Sequence, residues 1–178
     1  MTKGNLEKRY IGVTDESLCQ QGKEMIQNRR YPTVDAVYAS PLKRCIETAK
    51  LIYPEQTPIQ YDGFRECDFG EFENKNFSEL ELLPSYQCWM KSNGELPFPS
   101  GESKQGFKER CVVTFRSMIE ECIQKQYKRV ALVVHGGTIM SILDEYSNPH
   151  KDFYHWQVAN GEGYQLSYEN QKWKVTNI

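Results

Sequence analysis

The stretch R-V-A-L-V-V-H-G-G-T-I-M-S-I-L-D-E-Y, Arg129 to Tyr146, decides how this chain is read. Val130 to Val134 is an unbroken apolar run rich in β-branched residues, which suits a strand buried on both faces of a parallel sheet. His135 ends the run. Gly136 and Gly137 read as a turn, and Thr138 as the cap of a helix whose apolar face is Ile139, Ile142, Leu143 and Tyr146. His135 is thereby expected at the carboxyl end of a strand, the edge at which open α/β sheets bind ligands. The neighbouring helix N-terminus offers free N–H groups and a positive dipole end, both of which favour anions. From this stretch alone, His135 is either a group that touches a phosphate or a core histidine bonded to a backbone carbonyl.

Working outward, Asp35 to Ala39 reads as a second strand. Ser40 is expected as the N-cap and Pro41 as the first position of a helix running to about Ile52, with Leu42, Cys45, Ile46, Ala49 and Ile52 as its apolar stripe. Ile59 to Tyr61 is a third strand, and the order of elements implies parallel pairing with right-handed crossovers. Lys3 to Ser17 reads as loop and Leu18 to Arg30 as a short helix. Gly63 to Asn76 is an irregular acidic loop, and Phe77 to Ser92 is one or two short helices broken at Pro84. Together, residues of about 67 to 100 are expected to form a lid insertion. Ser103 caps a long helix, Lys104 to Lys125, with Phe107, Val112, Phe115, Met118, Ile119 and Cys122 facing the core. Gly163 to Tyr168 and Trp173 to Ile178 alternate as an antiparallel hairpin, placed at one sheet edge. The expected fold is a three-layer α/β/α domain with a mostly parallel sheet.

The 178 residues suggest a single domain over 1–178. A net charge of -2 gives no electrostatic reason to expect nucleic acid or an acidic membrane surface as partner. No apolar run approaches the roughly 18 residues of a membrane span. The N-terminal ten residues lack the apolar core of a signal peptide. Six scattered cysteines with no C-x-x-C pair give no zinc spacing and read as reduced packing residues of a cytoplasmic protein. No cofactor and no metal site is expected.

Three further residues can converge with His135. Arg44 lies in the first turns of the helix after strand Asp35–Ala39, where its fork can hold phosphate oxygens; otherwise it is a surface arginine paired with Glu47 or Glu55. Glu66, in the loop after strand Ile59–Tyr61, can protonate a leaving oxygen, or is one more solvated loop acid beside Asp62, Asp68, Glu71 and Glu73. Asn5 can donate to a phosphate or serve a turn. An Arg, a His and a Glu, each after a different strand and without a Walker glycine loop, suit metal-free phosphoryl chemistry, but the set lacks a nucleophile.

The segments N-L-E-K-R-Y-I-G-V-T-D (5–15), Y-A-S-P-L-K-R-C-I-E-T-A (38–49), F-R-E-C-D-F-G-E-F-E (64–73), G-E-S (101–103) and V-V-H-G-G-T-I (133–139) resemble the histidine phosphatase superfamily, which also holds cofactor-dependent phosphoglycerate mutases. The resemblance implies that Arg44 binds the phosphoryl group and that His135 donates to it. Glu66 would be the general acid and then the base for water, and Asn5 and the Gly136 N–H further phosphate contacts. Thr138 would line the pocket, with Phe69 and Phe72 as aromatics that stack on a substrate or simply pack. The family nucleophile is a histidine in an Arg-His-Gly triplet on the first, central strand, and this sequence contains no such triplet. The expectation is therefore a sheet without that strand and an inactive, poorly stable chain. A preceding segment of about ten residues, a usual strand length, would supply the strand and make Met1 internal. Cys19 stands where relatives carry a threonine helix cap. The short lid and R-E-C-D-F-G-E-F-E look like α-ribazole phosphatases of cobalamin biosynthesis. The resemblance thus implies hydrolysis of a small phosphate ester, with phosphoglycerate mutase or an inactive phosphate-binding relative as the alternatives.

Overall fold

The computed structural model describes residues 1–169 and 172–177. Its central sheet has three parallel strands in the order β2-β1-β3: β1 is Ala36–Ala39, β2 is Ile59–Gln60 and β3 is Val130–Val133. β1 sits in the middle, with Tyr38 opposite both Ile59 and Leu132. Because all three strands run the same way, their carboxyl ends share one edge, and the segments carrying Arg44, Glu66 and His135 all leave from it. The expected C-terminal hairpin is present as β4 (Tyr164–Glu169) and β5 (Lys172–Asn177), paired antiparallel. It forms a two-stranded sheet of its own and is not an edge of the central sheet. Ile178, at the end of that hairpin in the sequence reading, lies outside the described residues.

Burial corrects the reading of β3. Every residue of β1 is buried, whereas all four of β3 are only half-buried. An apolar run marks a strand that could be covered on both sides, but here β3 is the last strand of its sheet. Among the described residues its ladder is with β1 alone. The main core lies on one side, where Tyr38, Phe64, Phe115, Met118, Cys122 and Ile142 pack together.

The helices form where the apolar spacing and caps direct, with local shifts. α1 is a single turn, Lys3–Leu6, inside the segment expected to be loop; Thr2 and Asn5 close a reciprocal capping box around it. In α2, Gln20–Gln27, Cys19 takes the cap role, its Sγ accepting from the Gly22 N–H at 3.4 Å. α3 is Lys43–Ile52, and its N-cap is Leu42. Ser40 is not the cap; its Oγ lies 2.8 Å from His135 Nε2 and also accepts the Leu42 N–H at 3.4 Å, ahead of the helix. Between β2 and α6 lie α4 (Phe77–Leu80) and α5 (Pro84–Lys91), with Pro84 opening the second helix as its first residue. α6, Lys104–Gln124, starts at Ser103, whose Oγ accepts from Gly106 at 3.0 Å. It buries Phe107, Val112, Phe115, Met118 and Cys122 as expected, and Cys111 besides. α7 is Gly136–Tyr146. The two glycines are its first residues rather than a turn before it, and His135, not Thr138, is the N-cap.

The segment around α4 and α5 has a small aromatic cluster of its own. Phe72, Leu80 and Tyr86 are buried together, with Tyr10, Phe69, Trp89 and Phe98 packed around them. Phe72 meets Tyr86 edge-on at 5.1 Å between centroids, and Trp89 stacks on Phe98 at 4.9 Å. Among the described residues no helix is long and apolar enough to cross a membrane.

Candidate active site

At the carboxyl edge of the sheet, α3 turns Arg44 inward. Its side chain is buried, so the surface pair with Glu47 or Glu55 does not form; Glu47 instead accepts the Leu18 N–H. The Arg44 Nε donates to His135 Nδ1 at 3.3 Å, and its Nη atoms donate to the carbonyls of Thr14 (2.8 Å), Gly12 (2.8 Å) and Ile11 (3.3 Å). That engages four of the five guanidinium protons. The accepting segment is gripped from its other side, because Glu73 Oε1 accepts the N–H groups of Gly12 and Thr14, each at 2.8 Å.

His135 is 7% exposed. With Nδ1 accepting from Arg44, the hydrogen-bond network assigns the ring proton to Nε2, which donates to Ser40 Oγ at 2.8 Å. Burial first, and then the Arg44 and Arg110 charges, push its pKa well below the ordinary value of 6.5. The imidazole is thus neutral, and the cation of the site is Arg44. Of the two readings open for His135, the backbone-bonded core histidine is not what forms; its ring partners are side chains, Arg44, Ser40 and the Cys45 thiol at 3.6 Å.

Glu66 reaches the same helix N-terminus from the loop after β2. Its Oε1 accepts the Cys67 N–H at 2.9 Å, and the Gly137 N–H also points to the carboxylate. A Cβ on Gly137 would lie 2.6 Å from that oxygen and 2.9 Å from the Phe107 ring, so this position requires glycine. Burial raises the Glu66 pKa above the ordinary 4.5, opposed by the two N–H bonds and by Arg44 and Arg110. It is not one more solvated acid of the loop. A carboxyl group that keeps its proton into a higher pH range, beside an arginine and a neutral imidazole, can give a proton to a leaving oxygen and later take one from water.

The remaining expected site residues divide. Gly136 is exposed, and a Cβ there would meet nothing within 4 Å, so its backbone faces open space at the helix start. Asn5 spends its side-chain oxygen on the Thr2 N–H at 2.9 Å, the turn role. Thr138 is fully buried, beside Cys111. Phe72 is fully buried in the aromatic cluster with Tyr86, and Phe69 packs edge-on against Phe98 at 5.0 Å and Tyr10 at 5.2 Å. These aromatics pack. Ser40, Cys45, Glu73, Glu102 and Arg110 were not foreseen as neighbours of the site. Ser40, Cys45, Glu73 and Glu102 lie in the segments that carry the family resemblance, without a role read for them, and Arg110 lies outside all of those segments. Among the described residues no three His, Cys, Asp or Glu side chains cluster as metal ligands.

The model of the histidine phosphatase superfamily (branch 1) matches residues 1–178, and the chain belongs to that family. It is 30% identical over 154 residues to a broad-specificity phosphatase of Saccharomyces cerevisiae, covering 80% of this chain and 64% of that protein. The chain spans less than two thirds of the length of the first curated relatives it matches. Among solved structures, a phosphoglycerate mutase from Thermus thermophilus superposes with a TM-score of 0.71 at 25% identity, over all of this chain and 93% of that one. The α-ribazole phosphatase of Shigella flexneri gives 0.81 at 20% identity, over all of this chain and 91% of that one, a likeness of fold.

Proposed function

We propose that this chain is the scaffold of a phosphomonoester hydrolase for a small phosphate ester, working through a phosphohistidine. The observation that carries the reading is the buried contact of Arg44 with a neutral His135, with the proton-retaining Glu66 on the same helix N-terminus. In this reading the Arg44 cation offsets charge on the transferred phosphoryl group, and neutral His135 and the N–H of Gly136 donate hydrogen bonds to it. A ring nitrogen of the acceptor histidine attacks phosphorus and forms a P–N bond as the ester P–O bond breaks, and protonated Glu66 gives its proton to the leaving alcohol. The resulting carboxylate then takes a proton from water as water attacks phosphorus and the P–N bond of the phosphohistidine breaks. The chemistry would run without a metal.

The acceptor histidine has no candidate near His135 among the described residues. His155 bonds to Lys151 at 2.9 Å, and His150 lies in the segment after α7. The reading assigns the acceptor to a strand docked along the open side of β3, bearing a histidine at its carboxyl end as β3 bears His135. The test is to express the chain alone and with a ten-residue apolar extension ending in Arg-His-Gly, then assay aryl phosphate hydrolysis. Activity that appears only with the extension supports the reading. No activity in either, with both folded, would overturn it in favour of a phosphate-binding relative without catalysis.

The substrate belongs to the same proposal. Relatives named for α-ribazole phosphate, phosphoserine and broad specificity make a small phosphorylated metabolite the expected class. Packing of the lid aromatics against each other argues against stacking of a base on Phe72. A panel of α-ribazole phosphate, phosphoserine and 3-phosphoglycerate separates these, with phosphoryl transfer between phosphoglycerates marking a mutase instead.

A further inference from the structure

Arg110, on α6, spends all five of its guanidinium protons in one place. Nη1 donates to the carbonyls of Gly63 at 3.0 Å and Arg65 at 2.9 Å, and Nη2 to that of Glu66 at 3.4 Å. Nε and the other Nη2 proton form a two-pronged pair with Glu102, at 2.9 and 2.7 Å. Glu102 closes the circuit. Its Oε2 accepts the Asp68 N–H and its backbone N–H donates to the Asp68 carbonyl, each at 2.9 Å. The irregular loop carrying Glu66 is therefore held on both sides of that residue, at 63 to 66 by the arginine and at 68 by the carboxylate. Irregular backbone with carbonyls turned inward needs such donors, and a planar fork supplies them in fixed geometry where an ammonium would not. The guanidinium also lies 5.1 Å over the Phe107 ring, whose edge backs Gly137 and the Glu66 carboxylate.

We propose that Arg110, fixed by Glu102, is a positioning residue for Glu66, setting the carboxyl group against the N-terminus of α7 by gripping its loop. This rests on Glu66 being the acid of the proposed hydrolysis. The loop has no regular secondary structure between Arg65 and Phe69 to hold it otherwise. A general acid is worth a rate factor of roughly 100 to 10,000 only while it stays within hydrogen-bond reach of the proton's destination.

Arg110→Lys keeps a cation near the loop and removes the fork; Glu102→Gln weakens the anchor; Lys108→Met, which breaks an ion pair of α6 with Asp144 and Glu145 away from the loop, is the control. The first readout is the Glu66 carboxyl titration by 13C NMR in the full chain, assigned with Glu66→Gln. The charged and titratable groups around Glu66 are Arg44, Arg110 and the thiols of Cys45, Cys67 and Cys111. Arg110→Lys conserves their charges, so a fall of the titration toward an ordinary glutamate reports the loop opening to water. That fall is expected for Arg110→Lys and Glu102→Gln, and not for Lys108→Met. The second readout, in the chain extended with the histidine strand, is the ratio of alkyl to aryl phosphate turnover, expected to drop about tenfold or more in the same two variants. General loss of folded protein lowers both rates and leaves the ratio unchanged. An unshifted Glu66 titration in both variants overturns the proposal. If Glu66→Gln leaves the alkyl-to-aryl ratio unchanged, the acid assignment fails, while a shifted titration still shows that Arg110 places Glu66.

Discussion

The two titratable residues of the site oppose each other as pH changes. His135 is held neutral when folded, so below about 6.5 the unfolded chain binds a proton that the native state refuses. Stability falls as pH drops through that window, by up to about 1.4 kcal/mol per pH unit. Glu66 has the reverse sign. Its folded pKa is raised, so its contribution is full below 4.5 and is lost as pH rises through the folded value. His135→Gln is therefore expected to flatten the acid limb of a plot of Tm against pH, and Glu66→Gln to raise Tm at pH 7 to 8 while changing it little at pH 4. Activity should pay for the second gain. In the chain extended with the histidine strand, Glu66→Gln is expected to slow alkyl phosphates by roughly 100-fold or more and activated aryl phosphates far less, because only a poor leaving group needs the proton. There Arg44→Met should slow both alike, since in the proposed hydrolysis it contacts the transferred group. At this scale the sequence spoke through residue type and place after a strand. It could not show that Ser40 would serve His135 rather than a helix, nor that Arg110 would turn back onto the loop. Both contacts are side-chain choices made only when distant segments meet.

Elements were legible where a local signal was strong enough to outlast packing. Ser103 before a long amphipathic run places the start of α6 correctly, and Ser103→Ala is expected to cost about 1 kcal/mol, read by urea unfolding. The same signal misled at Ser40-Pro41, where the hydroxyl found a better partner and the helix began at Lys43. The paired glycines after His135 were also misread. Turn chemistry and close approach both select glycine, and Gly137 is there because the Glu66 carboxylate and the Phe107 ring leave no room for a Cβ. Gly137→Ala is expected to lower stability and, in the chain extended with the histidine strand, turnover, whereas Gly136→Ala, facing open space, should change Tm by no more than about 3 °C, as a surface change does. Paired kinetics and thermal melts check the contrast. The four-residue helix α1 lay below any periodic signal, and only its capping box explains it.

Across the whole molecule, packing falls into three clusters: the main core around Tyr38 and Phe115, a small one of Cys67, Phe107 and Cys111, and the aromatic one around Phe72. Phe69 and Phe98 pack on both of the last two and join them. Phe72→Ala, removing the fully buried centre of the aromatic cluster, is expected to cost about 3–5 kcal/mol, measured by denaturant unfolding. The parallel order and the hairpin were legible as patterns; the separation of the two sheets was not, because pairing partners are set by what lies between them. That separation leaves a boundary along β3. Its amides facing β1 are locked in a ladder, while the alternate ones face away from the sheet with no ladder partner among the described residues. Deuterium uptake should follow this line. Along one short strand, slow and fast sites should alternate residue by residue, and a docked histidine-bearing strand should erase the alternation before any phosphate is added.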